Sequence, residues 1–409
     1  MRLLIYSYNY NPEPIGIAPL VTELAEGLVK KGHEVRVVTA MPWYPQREIY
    51  EKYKGQFYRE EIINGVTVQR CYIWVRPQAS LIDRILMELS FVLTSFIRAL
   101  AGKRPDVILL TVPGLPVCVP AAILGLIYRS PIILNLQDIL PDAAVITGLL
   151  TNKKLIGVFK ALEKFAYWRA NKISVIANGF VDNLLGKGVS KEKIELIPNW
   201  VDVNFIRPIP KENNTFCLEN QLGEKFVVMY AGNIALTQGI ETVINAAVRL
   251  RNHPDIEIVI VGDEKALTRL QLYRDTCKAT NVTLLPFQPR EKLPEMLAAA
   301  DIGLVVQKHN VISFNMPSKI PVLLASGRAI IGSVPGTGTA ARAIEESGGG
   351  IVVPPETPAA LARAILDLYK NRDQVRLLGE KSRKFAVEKY SFDQALEQYE
   401  QLFVSVQKH

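Results

Sequence analysis

Residues 2–40 read RLLIYSYNYNPEPIGIAPLVTELAEGLVKKGHEVRVVTA, and the order of patterns in them decides the fold. An apolar run, RLLIYSYNY, passes through a Pro-rich loop to Gly16. APLVTELAEGLVKKG then repeats its apolar residues at helical spacing, and HEVRVVTA returns to an extended, β-branched run. Strand, helix, strand is a βαβ unit, whose two strands lie parallel in one sheet. Working outward, a hairpin-like pair (YREEIING, VTVQRCYIW) follows, then an apolar helix, strand DVILLTV, a helix from about Val117, strand PIILNL, and two late strands in ISVIA and IELIPN. Arg207 to Asn214, RPIPKENN, reads as a linker.

Beyond the linker the alternation restarts. Strand FVVMYAG, loop NIALTQG, helix IETVINAAVRLRN and strand IEIVIVG open a second half. ALTRLQLYRDTCKAT, VTLLP, EKLPEMLAAA, IGLVVQ, a short helix in MPSKIPVLLASGR (316–328), RAIIGSV, GGGIVVP and PAALARAILDLYKN continue it. Sustained β-then-α alternation predicts parallel, doubly wound sheets. The expected fold is two Rossmann-like α/β domains, 1–206 and 207–390, facing across a cleft, with 391–409 a helix crossing back to the first.

The chain has 409 residues, enough for two sizeable cores, and is 49% hydrophobic with no low-complexity run, which excludes a disordered chain. A formal charge of +8 favours an anionic partner but does not choose among nucleotide, lipid surface and nucleic acid. Cys71, Cys118, Cys217 and Cys277 form no Cys-x-x-Cys pair, and the four histidines are isolated, so reduced thiols, no metal and a cytoplasmic location are expected. The first residues lack the apolar core of a secretory signal and read as a buried strand.

Two apolar stretches need a reading. In 106–127, prolines and glycines punctuate the run, so a strand, a loop and a buried helix fit better than a membrane span. In 83–100, DRILMELSFVLTSFIRAL, helical geometry puts Arg84, Glu88, Ser95 and Arg98 on one narrow polar stripe and leaves the rest apolar. Such a helix must hide most of its girth, in the core, against another subunit, or on a membrane surface.

In open parallel sheets ligands bind beyond the carboxyl ends of the strands. In the first half that rim carries Gly16, where a missing Cβ permits close approach, and Asp138 in LQDILPDAA, suited to holding a hydroxyl or acting as a base, with Asp142 four residues on. In the second half, Asn233 and Gln238 bracket a turn and fit either diphosphate binding or helix capping. Lys308, Ser318 and Lys319 supply cations and a hydroxyl on one edge. Gly262 ends a strand on the same rim, and Phe287 and Gln288 are placed to meet a base, while VPGTGTAA from Val334 adds glycines and hydroxyls. Asp-x-Asp, Gly-x-x-x-x-Gly-Lys-Ser/Thr and Gly-x-Ser-x-Gly are absent, and no Gly-x-Gly-x-x-Gly follows the first strand.

Taken jointly, YSYNYNPEPIGIAP, LQDILPDAAVITGLL, ISVIANGFVDNLLGKGVSKEKIELIPNWVD, YAGNIALTQGIETVINAA, VVQK and PSKIPVLLASGRAII resemble the family-four retaining glycosyltransferases of the GT-B fold, most of all the colanic-acid and O-antigen exopolysaccharide group. The resemblance spans nearly the whole chain. It implies transfer of a sugar from a nucleoside-diphosphate sugar, UDP-sugar favoured, to a glycan or lipid-linked acceptor, with retention, without metal or further cofactor, and without a nucleic-acid partner. It places the donor in the second half and the acceptor in the first, with Asp138 and Lys319 as catalytic candidates. The apolar helix in 83–100 would bring the protein to the inner membrane face. The sequence departs from the family pattern at Val322, where many members carry a ribose-binding Glu, and near Phe314, where the first Glu of that pair has no counterpart. Asn233 and Gln238 stand where many carry Arg and Lys, and LQDILPDAA lacks the usual His. Two other readings use the same fold: a 2-epimerase, which would release product without an acceptor, and a silent sugar-nucleotide-binding partner subunit, which would bind donor without turnover.

Overall fold

The computed structural model describes all residues except Ile15, Pro113, Thr147, Leu149, Asn213, Leu236, 312–315 and 408–409. The chain divides into two compact units, Met1–Asn199 with Leu396–His409, and Trp200–Ala395.

The first unit holds eight strands: β1 Arg2–Tyr6, β2 Glu34–Ala40, β3 Tyr58–Ile63, β4 Val66–Cys71, β5 Val107–Val112, β6 Ile132–Leu136, β7 Lys172–Val175 and β8 Ile194–Leu196. Their order is β3-β4-β2-β1-β5-β6-β7-β8, parallel throughout except for the β3–β4 hairpin. Every residue of β5 and β6 is buried, as expected of central strands covered on both faces. From β1 the chain steps one way to β2, and from β4 it steps the other way to β5. Right-handed crossovers therefore put helix Ala18–Lys30 on one face, and helices Leu81–Ala99, Cys118–Tyr128 and Lys153–Arg169 on the other.

The second unit holds β9 Phe226–Ala231, β10 Ile256–Gly262, β11 Val282–Pro286, β12 Ile302–Val306, β13 Ala329–Ser333 and β14 Gly350–Val353, all parallel, in the order β11-β10-β9-β12-β13-β14. Alternate residues of β9 serve two cores. Phe226, Val228 and Tyr230 share one with helices Glu241–Arg249 and Pro358–Lys370, and Val227 and Met229 share the other with helices Lys319–Ala325 and Thr339–Ser347.

Three expectations are amended. The first unit ends at Asn199, ahead of the linker, because Ile206 is buried in the second unit's core and Val201, Val203 and Phe205 pack against it. The Arg383 guanidinium secures this segment by donating to the carbonyls of Val203 (2.9 Å) and Ile206 (3.0 Å). The helix from Val117, expected to be buried, is buried on one side only, with Leu126 66% exposed. In VPGTGTAA, Thr339 is buried and opens a helix.

Candidate active site

In the second unit the direction of chain progression reverses between β9 and β12, so the loops leaving these two strands border one crevice. Gly232, at φ +135°, ends β9, and its amide donates to the Val261 carbonyl at 3.1 Å. The Tyr230 hydroxyl donates to the Asn233 carbonyl at 2.6 Å and fixes the departing loop. Gly262 has no side chain for a packing reason: a Cβ there would sit 2.2 Å from Ile234 Cδ1.

Lys319 reaches into this crevice. Its Nζ lies 3.5 Å from the Tyr230 ring centroid, and a Cβ on Gly232 would come within 3.3 Å of it. The side chain is only partly covered, but Nζ itself is sealed and has no hydrogen-bond partner among the described residues. Burial pushes the amine down to about 7. A cation held over an aromatic face with no anion is an incomplete arrangement that an anionic group would complete.

Lys308 follows β12. Its amide donates to the Thr237 carbonyl at 2.8 Å, and its aliphatic stem runs against Gly239, where a Cβ would meet Cγ at 3.0 Å. The loop carrying Asn233 and Gln238 is thus tied to both lysines. Asn233 and Ser318 are exposed, Gln238 is half-buried, and Ser318 makes no side-chain cap. Phe287 and Gln288 follow β11, the edge strand. Phe287 is exposed, and Gln288 Nε2 donates to the Pro286 carbonyl at 2.9 Å. The structure gives neither a contact with Lys319.

In the first unit the reversal falls between β1 and β5. There the Tyr8 ring packs on Gly114, where a Cβ would lie 2.2 Å from it, and its hydroxyl donates to Glu88. Gly16, at φ +72°, is exposed beside Tyr44. Asp138 follows β6. Burial raises its carboxyl, and the Ile139 amide donating at 2.8 Å offsets part of that. The residue before it belongs to an amide ladder, in which Gln137 Nε2 donates to Asn135 (2.9 Å) and Asn199 (3.1 Å), and Asn199 donates in return at 2.7 Å. Asp142 is committed elsewhere, 2.8 Å from Lys187 Nζ and accepting from Asn183 at 3.2 Å. Among the described residues no group of three or more His, Cys, Asp or Glu could hold a metal ion. A cavity of about 270 Å³ lined by Lys211, Asn214 and Cys217 lies at the other end of the second sheet, near the starts of β9 and β12, and its Lys211 is paired to Asp301 at 2.7 Å.

Two family models match in tandem: the glycosyl transferase 4-like domain over 16–200 and glycosyl transferases group 1 over 211–385. The colanic acid biosynthesis glycosyl transferase WcaI of Escherichia coli (strain K12) is 34% identical, over 81% of this chain and 83% of that protein. The chain is a family-four glycosyltransferase. Solved structures of the same fold include sucrose-phosphate synthase from Thermosynechococcus elongatus (TM-score 0.71, 17% identity, 99% and 98% of the two chains) and HepE from Anabaena in complex with UDP-glucose (TM-score 0.69, 16% identity, 99% and 100%).

In this glycosyltransferase Val322 packs against the core of the second unit, an apolar role that suits Val. The position near Phe314 lies outside the described residues. Sequence reasoning missed Tyr230, the ring beneath Lys319. An aromatic one residue before a strand's end, two before a glycine, was the available signal. It also missed Gln137 and Asn199, whose pairing across the ends of β6 and β8 no local pattern announces.

Proposed function

We propose that the enzyme is a retaining, metal-independent transferase that moves a hexosyl group from a nucleoside-diphosphate sugar, UDP-sugar favoured, to a glycan or lipid-linked acceptor in envelope or exopolysaccharide synthesis. The observation that carries this reading is the sealed Lys319 ammonium at the β9/β12 reversal, without a hydrogen-bond partner among the described residues, with Lys308 bordering the same loop. A diphosphate placed there satisfies a cation that has no anion among the described residues. WcaI's name supports the polysaccharide class, and HepE's complex with UDP-glucose supports the donor.

The chemistry is front-face substitution. The bond from the sugar C1 to the diphosphate oxygen breaks, the bond from C1 to the acceptor oxygen forms on the same face, and the acceptor's proton passes to the departing diphosphate. Lys319 and Lys308 stabilise the charge that grows on the leaving group, in a site where little water competes. Asp138, raised by burial and held by the Ile139 amide, orients the acceptor hydroxyl in the first unit. We place the enzyme in the cytoplasm, peripheral to the inner membrane face, where the segment 83–100 meets the surface.

The test is calorimetric titration with UDP, GDP, ADP and dTDP, followed by transfer from the matching nucleotide sugar to membrane-extracted glycolipid. Micromolar binding of one nucleotide with transfer to extract is expected. Binding without transfer to any acceptor, or no binding at all, overturns the reading.

A further inference from the structure

Helix Leu81–Ala99 is inside out. Three of its polar residues point into the protein: Glu88 accepts from the Tyr8 hydroxyl, Ser95 bonds Tyr6, and the Thr94 hydroxyl donates to the Tyr72 carbonyl at 2.7 Å, while Arg98 pairs with Glu60 at the surface and Arg84 is exposed. Its exposed stripe is apolar instead, with Ile82, Leu86, Leu89, Leu93, Ile97 and Leu100 recurring at helical spacing, and Leu93 61% exposed. A solvent-facing helix has the opposite arrangement.

The two neighbouring helices on this face extend the patch. Helix Cys118–Tyr128 is held to the first by the Tyr128 hydroxyl donating to the Ala99 carbonyl at 3.1 Å, and to helix Lys153–Arg169 by Cys118 Sγ, 3.9 Å from the Leu162 carbonyl. It exposes Ile123, Leu126 and Ile127, and helix Lys153–Arg169 adds Trp168, 71% exposed. The charges are equally one-sided. The acids on the three helices are turned away: Asp83 closes the capping box with Ser80, Glu88 meets Tyr8, and Glu163 meets Lys187 and Tyr167. Every exposed charged side chain on them is a cation, namely Arg84, Lys153, Lys154, Lys160 and Lys164.

We propose that the outward faces of these three helices form one docking surface for an anionic lipid bilayer, with the leucine and isoleucine stripes and Trp168 entering the headgroup boundary and the lysine band meeting lipid phosphates. A second copy of the chain fits the surface worse, because the same patch on a partner offers the lysine band no acidic counterpart: the exposed charged side chains of these three helices are all cations. The proposal refines the membrane part of the function proposed above, from one helix segment to a three-helix face. It is independent of the donor assignment.

The test is co-sedimentation of the full chain with phosphatidylcholine vesicles containing about one-third phosphatidylglycerol, against phosphatidylcholine alone. Binding to the anionic vesicles, weakened by added salt, is expected. Leu89→Ser with Leu93→Ser, and separately Leu126→Ser with Trp168→Ser, are expected to lower vesicle affinity about tenfold or more. Lys153→Gln, Lys160→Gln and Lys164→Gln together should do the same on anionic vesicles alone. These side chains face outward, so folding is spared, and an unchanged calorimetric unfolding transition of the first unit in each variant verifies it. Wild-type failure to bind anionic vesicles, or variants that bind as wild type does, overturns the proposal. So does a wild-type dimer that Leu93→Ser splits. Loss of UDP binding by the wild type would sink the donor reading and leave the vesicle result standing.

Discussion

The most informative single residue is Lys319, because its position is unfavourable to the empty protein. Its Nζ is desolvated with no anion among the described residues, and the amine falls from its ordinary 10.5 to about 7. Between those values the unfolded chain holds a proton that the folded chain does not, so this residue's contribution to stability rises with pH across that window. Below about 7 its penalty is fully present. Lys319→Met keeps the stem and removes the charge. It is expected to stabilise the protein by about 1–3 kcal/mol at pH 6, with a smaller gain at pH 9, in urea unfolding. The same site should bind UDP poorly without its cation. Lys319→Ala is expected to weaken UDP by about 1–3 kcal/mol in calorimetry, and unchanged affinity would remove Lys319 from the site. Because the free amine is only partly charged near neutrality, wild-type UDP binding should take up protons between pH 7 and 8, read from titrations in buffers of different ionisation heat. Asp138→Asn is expected to abolish transfer while keeping UDP affinity. Full activity would make the carboxylate structural.

At the scale of elements, the first helix on the exposed face of the first unit shows what a sequence states and what it withholds. Its periodicity was legible, and so was the stripe of Arg84, Glu88, Ser95 and Arg98. Which side faces inward was not, because that depends on Tyr6 and Tyr8 at the end of β1 presenting hydroxyls to Ser95 and Glu88. The strands were readable because parallel strands buried on both faces are nearly continuous apolar runs. Helix Arg372–Lys389 went unread because its covered residues, Leu378, Gly379, Ser382 and Ala386, include only one large apolar side chain. The candidate site divides the same way. Its lysines and glycines stood out by type and position in a β-to-α loop, whereas the burial of Lys319 came from Tyr230 and Gly232, remote in sequence. The inside-out helix makes Tyr8→Phe a sharp test. It leaves the Glu88 carboxyl without the hydroxyl that satisfies it, and is expected to cost about 1–3 kcal/mol in urea unfolding. A change within about 0.5 kcal/mol would mean that Glu88 is neutral or hydrated and that the helix is seated by its apolar contacts alone.

At the scale of the whole molecule, the chain folds its first unit from both ends of the sequence. Helix Phe392–Gln407 begins in the second unit and enters the first at Leu396. There Tyr399 and Phe403 are buried, the Tyr399 hydroxyl accepts from Asn135 Nδ2 at 2.8 Å, and Glu400 meets His33 at 3.1 Å. Asn135 also donates to Ser174 at 3.0 Å and, through its carbonyl, accepts from Gln137, so the last helix buttresses the amide ladder that includes the residue before Asp138. Ending the chain at Ala395 would remove the buried Tyr399 and Phe403 from the first unit and take a partner from a buried amide. Each lost aromatic alone is worth about 3–5 kcal/mol when truncated in a core, comparable to the stability of a domain. The truncated protein is therefore expected to lose the cooperative unfolding of its first unit in calorimetry, while a transition belonging to the second unit persists and nucleotide still raises its midpoint. That split would separate donor binding, which we propose for the second unit, from transfer, for which we propose Asp138. Loss of both transitions together would instead mean that the two units fold as one cooperative body.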